Sequence, residues 1–512
     1  MGKISLLKSF VLFGLDAHLV DVEVDVSNGL PSFNLVGLPD KAVEESKERV
    51  RAAIKNSGFD FPAKRITVNL APADIKKEGG IYDLPIALGI LIASGHIDEK
   101  KFKDFLICGE LSLSGNLRAA TSGVIQAAIL AREKKLKMIL PVENASEAGL
   151  VDTLKILPIG NLQELFSLSK EKELQFIEGK FDSSTLDSLG ADEFDFANIK
   201  GLILPKRALE IAAAGAHNVL FSGAPGGGKT MLARSIVSIL PRLEEGESIE
   251  ITKIYSASGL LNHSSPLITY RPFRAPHHSI SKVAIIGGGT IPKPGEITLA
   301  HRGVLFLDEI AEFPRNVLES LRQPLEDKII SISRARGTID FPADFMLLAA
   351  RNPCPCGNAG SDKECSCSMS QIIAYNKRIS GPLLDRFDIN FKVEKIPFCD
   401  IKKSSGEEPS SKIRKRVECA RLIQAKRSQK NLGRAKTNSL LSQKELEKLI
   451  NIDAKMSALL EQAVEKFDLS MRGYVKILRL ALTIADLEDK EVKLNHVVQA
   501  LQFRGQTKGD YE

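Results

Sequence analysis

A chain of 512 residues is too long for a single hydrophobic core, so two or three domains are expected. A hydrophobic content of 43% and a charged content of 26% are ordinary for a water-soluble protein, and a net charge of +6 permits an acidic partner without requiring one. Seven cysteines, an odd number with four of them clustered, exclude the disulfide framework of a small secreted protein.

In chain order, MGKISLLKSFVLFGLDAHLV has only a short apolar stretch and no small-residue cleavage site after it. The longest useful apolar run, LPIALGILIASG at 84–95, is too short to span a bilayer. A cytoplasmic protein with no membrane partner is expected. Residues 1–165 read as mixed α/β. HLVDVEVDV (18–26) alternates as a strand and ends in the turn SNGLPS. DKAVEESKERVRAAIKNSG (40–58) reads as a helix with Asp40 as N-cap and a glycine stop. RITVNLAP (65–72) is a second strand, DLPIALGILIASG a buried helix, and MILPV (138–142) a further strand.

Residues 166–198 read as a linker, because KFDSSTLDSLGADEFDF is polar, acidic and rich in serine. A second domain, 199–400, opens with the helix PKRALEIAAAGA and the strand NVLFS. The loop KKSSGEEPSSK (402–412) leads into a helical part, 401–512. There, residues 412–436 carry ten Lys/Arg against one Glu, which reads as a solvated helix face.

The strand NVLFS runs into GAPGGGKT, 223–230, and then into the helical MLARSIVSIL. This is G-x-x-x-x-G-K-[ST] in its strand–loop–helix setting. The backbone of Gly223, Ala224, Pro225, Gly226, Gly227 and Gly228 can turn N–H groups toward phosphate oxygens, and the helix N-terminus adds partial positive charge. Lys229 would reach the β- and γ-phosphates of ATP and Thr230 would hold Mg²⁺. GVLFLDEI, 303–310, is an apolar strand ending in an acidic pair: Asp308 is assigned to the metal and Glu309 to the general base. The strand DFMLLAA ends at Arg351-Asn352, where Asn352 either senses the γ-phosphate or caps the following loop.

That loop, NPCPCGNAGSDKECSCS, carries Cys354, Cys356, Cys365 and Cys367. Four thiolates suffice for a tetrahedral Zn²⁺, although C-x-C pairs are tighter than the usual C-x₂-C. Metal binding of this kind contributes roughly 10–16 kcal/mol in small zinc peptides. Free thiols are the other reading.

These motifs, in this order, resemble the AAA+ ATPases, specifically their magnesium-chelatase-like branch. GPLLDRFDI (381–389) is similar to the segment carrying that branch's arginine finger, here Arg386. LSMRGYVKILRLALTIADLE (469–488) is similar to its sensor-2 helix, here with Arg472. RPFRAPHHSIS (271–281) and GGGTIPKPGEITLAHRGVLFLDEI resemble the ComM/YifB family, and the likeness covers nearly the whole chain. The resemblance implies an α/β fold: an AAA+ P-loop core with a helical lid, preceded by a Lon-protease-like α/β domain. VNLAPADIKKEGGIYDLPIALGIL and GELSLSGNLRAATSGVIQAAILA carry the Lon likeness, but Ile81 stands where Lon has its nucleophilic serine and Ile125 near its lysine. Neither can act as nucleophile or base. Ser122, Lys76 and Lys77 do not substitute cleanly, so the domain is expected to be non-proteolytic.

The family likeness further implies a homohexameric, ATP-driven motor that acts on branched or single-stranded DNA, with branch migration or helicase work in natural transformation or recombination. The segment 326–345 reads as two strands joined by ARG; in related rings such a hairpin points into the pore, where Lys328, Arg334 and Arg336 could track phosphates. The hairpin could equally only pack against its neighbour. The alternative function is that of a magnesium-chelatase-type ATPase subunit remodelling a protein partner.

Overall fold

The computed structural model describes residues 3–171, 173–187, 194–262, 264–289, 292–334, 337–360, 363–394, 407–432, 437–467 and 469–504. The chain divides into two compact units that interleave in sequence. One comprises Met1–Ser188, Glu244–Thr269 and Gly289–Pro294; the other comprises Leu189–Leu243, Tyr270–Gly288 and Gly295–Glu512.

The first unit is built on an eight-stranded mixed sheet. In spatial order its strands are Ile177–Glu178, Lys155–Ile159, Lys137–Pro141, Phe105–Ile107, Lys3–Phe13, Asp16–Ser27, Arg65–Ala71 and Ser32–Val36. The Lys3–Phe13 strand pairs antiparallel with Asp16–Ser27 over its full length. The strand alternation is clear in the side chains: Leu7 and Val11 enter one apolar cluster, while Phe10 enters the cluster on the other face. Its apolar residues fall on both faces, Ile4 and Leu6 standing exposed on the side where Phe10 is buried, so this strand lacks the polar alternation that marks a half-exposed one, and the sequence reading did not assign it.

Asp40 caps its helix as expected, accepting from the Val43 backbone N–H at 2.8 Å. The helix is in two pieces, Lys41–Glu44 and Ser46–Asn56. Asp83–Ala93 is apolar all round, and residues 83–92 are all buried. The one charged residue among them, Asp83, receives a two-pronged hydrogen bond from Arg49 at 2.7 and 3.0 Å.

The second unit has a parallel sheet in the order Phe273–Arg274, Val304–Leu307, Met346–Arg351, Val219–Ser222, Ile389–Lys392. Its inner strands, VLFS, VLFL and MLLAAR, are nearly continuous apolar runs, as parallel strands covered on both faces must be. Helices Ser410–Leu432, Gln443–Leu449, Ala454–Phe467, Met471–Leu487 and Leu494–Gln502 form its C-terminal part.

Where it is described, the basic run 412–436 is a solvated face only in its lysines: Lys412, Lys415, Lys426 and Lys430 are exposed, while its arginines turn inward. Arg414 is buried and donates from Nε to the Ser238 carbonyl at 2.9 Å. Arg421 donates to the Ala213 carbonyl at 2.8 Å, near the end of the helix Ile203–Gly215. Arg427 pairs with the buried Asp486. Helix ends leave carbonyls without intrahelical donors, and guanidinium groups satisfy them while burying their aliphatic stems.

Candidate functional site

The phosphate-loop strand Val219–Ser222 lies between Met346–Arg351 and Ile389–Lys392, and Met346–Arg351 separates it from the acidic strand Val304–Leu307. In-register parallel pairing sets Val219 against Leu348 and Val304 against Met346. The loops after these strands therefore emerge at one edge of the sheet, where crossover topology leaves a crevice for ligands.

After Ser222 the chain turns through Gly226 and Gly228, at φ +79° and +84°, and enters the helix Lys229–Ser235. Side chains other than glycine rarely adopt that backbone region. Lys229 is only 8% exposed. Its Nζ donates to the carbonyl of Gly223, to that of Ala224 at 3.1 Å and to Asn352 Oδ1 at 3.0 Å. Burial pulls the ammonium pKa below its usual value, against the opposing pull of Asp308 and Glu309.

Thr230 Oγ1 donates to Asp308 Oδ2 at 2.7 Å. This is the arrangement in which a hydroxyl and a carboxylate can share a hydrated Mg²⁺. Glu309 adopts a left-handed backbone, φ +51°, and its side chain is exposed. A non-glycine residue in that region is uncommon outside turns and functional sites. The structure thus brings together Lys229, Thr230, Asp308, Glu309 and Asn352 from three neighbouring strands.

Arg386 and Arg472 lie elsewhere. The Arg386 guanidinium pairs with Glu326 of the same chain. Arg472 is exposed at the start of the helix Met471–Leu487. Of the expected phosphate-tracking cations, Arg334 is exposed at the tip of the antiparallel hairpin Ile329–Arg334/Gly337–Pro342. Lys328 sits at its base and pairs with Asp344 at 3.3 Å, so its charge is already engaged. Arg336 lies outside the described residues.

The four cysteine sulfurs converge: Cys354, Cys356, Cys365 and Cys367 offer ligand atoms all within 4.8 Å of one another. Three of the separations are 3.3, 3.7 and 3.5 Å. A tetrahedron of sulfurs about Zn²⁺ has edges of roughly 3.8 Å, given Zn–S near 2.3 Å. The Asn358 backbone N–H, and then the Cys354 thiol, pull the Cys356 thiol down to about 6. Against a lowering backbone hydrogen bond, burial and the Cys356 and Cys354 thiols push the Cys365 thiol up to about 12 and raise that of Cys367, so without metal the negative charge gathers on one sulfur.

Several participants escaped the sequence reading. Asn218, at the start of the phosphate-loop strand, accepts from the Leu347 N–H at 2.8 Å and donates to the Arg386 carbonyl at 3.0 Å. Lys476, four positions beyond Arg472, is buried; its Nζ donates to the carbonyl of Asp385 and to that of Phe387, and lies 3.7 Å from the Asp388 carboxylate. Arg504 reaches the carbonyls of Phe387 and Asp388. The segment bearing Arg386 is thus pinned from the helix Met471–Leu487 and from the turn that follows the helix Leu494–Gln502. The i, i+4 spacing of Arg472 and Lys476 was the available signal. Tyr375 also borders the acidic edge: burial, then Glu312 and Glu309, push its phenol up to about 12.

In the first unit, Ile125 is buried and Ile81 packs against the same apolar cluster. Ile81, Lys76 and Ser122 line one cavity of about 130 Å³. Lys77 is fully buried, with its Nζ donating to the Pro72 carbonyl.

Comparison with known proteins gives a consistent family. The model described as magnesium chelatase, subunit ChlI, matches residues 195–401; one for subunit ChlI of Mg-chelatase matches 22–144; one for the ChlI C-terminal part matches 407–504. The chain is 44% identical over 506 residues to the competence protein ComM of Haemophilus influenzae, covering 98% of this chain and 97% of that one. It is 40% identical over 509 residues to the YifB protein of Escherichia coli, covering 98% and 97%. It is also 28% identical to Lon protease 2 of Bacillus subtilis over 175 residues, 29% of this chain and 31% of that one. Among the described residues, no helix is long and apolar enough to cross a membrane.

Proposed function

The chain belongs to the ComM/YifB family of magnesium-chelatase-like AAA+ proteins, and we propose that it hydrolyses ATP to drive a ring motor on DNA, with branch migration in recombination or natural transformation as its task. The observation that carries the ATPase reading is the convergence of Lys229, Thr230, Asp308 and Asn352 at one sheet edge. Lys229 holds the β- and γ-phosphates. Thr230 and Asp308 hold Mg²⁺, which when bound offsets charge on the phosphate oxygens. Glu309 takes the proton of the attacking water, and Asn352 orients that water while fixing Lys229. Arg386 completes the site of a neighbouring subunit in a homohexamer, and Arg472 adds positive charge from the lid.

The DNA half is supported by the competence protein among the relatives and by the cation at the hairpin tip, Arg334. The four-cysteine cluster is read as a structural Zn²⁺ site, on the sulfur separations. The first unit is read as a non-proteolytic domain, because Ile81 and Ile125 supply no reactive atom; a casein digestion assay tests that. The test of the whole reading is ATPase rate and branch migration with four-way junction, double-stranded and single-stranded DNA at fixed salt. Stimulation by DNA supports the motor. ATP hydrolysis indifferent to every DNA would favour the other reading, a chelatase-type subunit that remodels a protein, which the names of the matching family models favour.

A further inference from the structure

The cysteine loop touches the phosphate loop directly. Gly357, at φ +80°, is buried, and its N–H donates to the Cys354 carbonyl at 3.0 Å. Its α-carbon faces Pro225: a β-carbon built on Gly357 would lie 2.7 Å from both Cγ and Cδ of the Pro225 ring. That is closer than real carbon atoms approach, so only glycine fits against this proline. Pro225 is the third residue of the phosphate loop and, with its fixed φ, a stiff one. Two positions before Cys354, Asn352 Oδ1 accepts from Lys229 Nζ at 3.0 Å. The loop therefore grips the phosphate site at its proline and at its lysine, and the same loop is gathered by four sulfurs.

We infer that the four-cysteine loop is a positioning element for the phosphate loop, acting through the Gly357–Pro225 contact and the Asn352–Lys229 hydrogen bond. It rests on the reading of residues 223–230 as the nucleotide site. The cysteine cluster holds Gly357 and Asn352 in place, and these hold the loop open at the spacing that phosphate oxygens require. Tight binding needs the N–H groups and the lysine preorganised, because ordering them at the moment of binding subtracts from affinity.

Gly360 supplies an internal control. It also has a left-handed backbone, φ +69°, but among the described residues a β-carbon there comes no nearer than 4.0 Å to another group, the flexible end of Lys392. Gly357→Ala and Gly360→Ala thus share the backbone strain and differ in the contact. The readout is the dissociation constant of a fluorescent ATP analogue with Mg²⁺ on the full chain. Gly357→Ala should weaken binding roughly tenfold more than Gly360→Ala, and most of that excess should vanish on a Pro225→Ala background, as coupled neighbours require. Equal losses at the two glycines, or the same loss on both backgrounds, would overturn the inference.

Should Gly357→Ala fail to fold, amide exchange on the unaltered chain decides. Nucleotide binding should slow exchange across residues 353–360, and unchanged exchange there would overturn the inference equally. Metal content is measured in parallel. Coupling without metal removes the zinc reading and leaves the contact; metal without coupling does the reverse. An unaltered chain that binds no nucleotide would sink the parent ATPase reading instead.

Discussion

The Arg386 guanidinium pairs with the Glu326 carboxylate of its own chain. Glu326 lies in the short helix Arg322–Asp327 that leads straight into the hairpin Ile329–Arg334. A residue proposed to complete a neighbour's active site is therefore tied, in the single chain, to the base of the element proposed to meet DNA.

If Arg386 acts across a subunit boundary, Arg386→Ala should bind ATP but hydrolyse it about 10³–10⁵-fold more slowly, the range for a finger supplied in trans. Mixing it with Lys229→Ala subunits should restore some turnover, because each variant can complete a site with an intact neighbour. Glu326→Gln should lower the protein concentration at which ATPase reaches half its maximum. A rate per chain independent of concentration, down to monomers, contradicts the whole scheme.

Within one chain, Lys229→Ala should abolish nucleotide binding, since it removes the cation fixed by Asn352. Glu309→Gln should bind ATP normally and turn it over at least about 10²-fold more slowly, the usual contribution of a general base. Equilibrium binding beside a phosphate-release assay checks both. Near-normal hydrolysis by Glu309→Gln would assign the base elsewhere.

Reduced protein should carry close to one zinc per chain by metal analysis after adventitious ions are removed. Chelation should lower the melting temperature, because metal bound only to the folded state adds to its stability. A zinc content near zero with the loop still protected from exchange would leave four free thiols.

Asp388 gives a pH signature. Burial alone would raise its pKa, but Lys476, followed by His217, hold the carboxyl well below the usual range. A depressed folded-state pKa stabilises the fold at pH above the unfolded value of about 3.9 and loses that contribution as pH falls through the folded one. Asp388→Asn should cost about 3–5 kcal/mol near neutral pH, leaving Lys476 buried without its counter-charge. The gap between variant and parent should narrow below about pH 4. Denaturant midpoints across pH measure it; a gap constant from pH 3 to 7 would place the stabilisation elsewhere.

Arg334→Ala should weaken DNA binding and reduce the slope of log affinity against log salt by about 0.7 for single strands or 0.9 for duplex, one phosphate contact. Lys328→Ala, whose partner is Asp344, should leave that slope unchanged. Filter binding over a salt series distinguishes the two.

The candidate nucleotide site was legible in the chain because its chemistry is local. Gly226 and Gly228 permit a backbone conformation, Lys229 and Thr230 follow at fixed positions on a helix, and Asp308-Glu309 ends an apolar strand; each is a matter of neighbours in sequence. The cysteine cluster was legible for the same reason. What tertiary structure alone decided was partnership over distance. Lys229 and Asn352 stand 123 residues apart and meet only because their strands are adjacent. The arginines of 414–427 looked like a solvated face until packing set them against helix-end carbonyls and Asp486. Arg386 met Glu326, and Gly357 met Pro225, with nothing in either segment to announce it. Periodicity and turn chemistry record what a residue's own backbone needs, whereas the choice of a buried counter-charge or a contact surface depends on strand order, which no local pattern encodes.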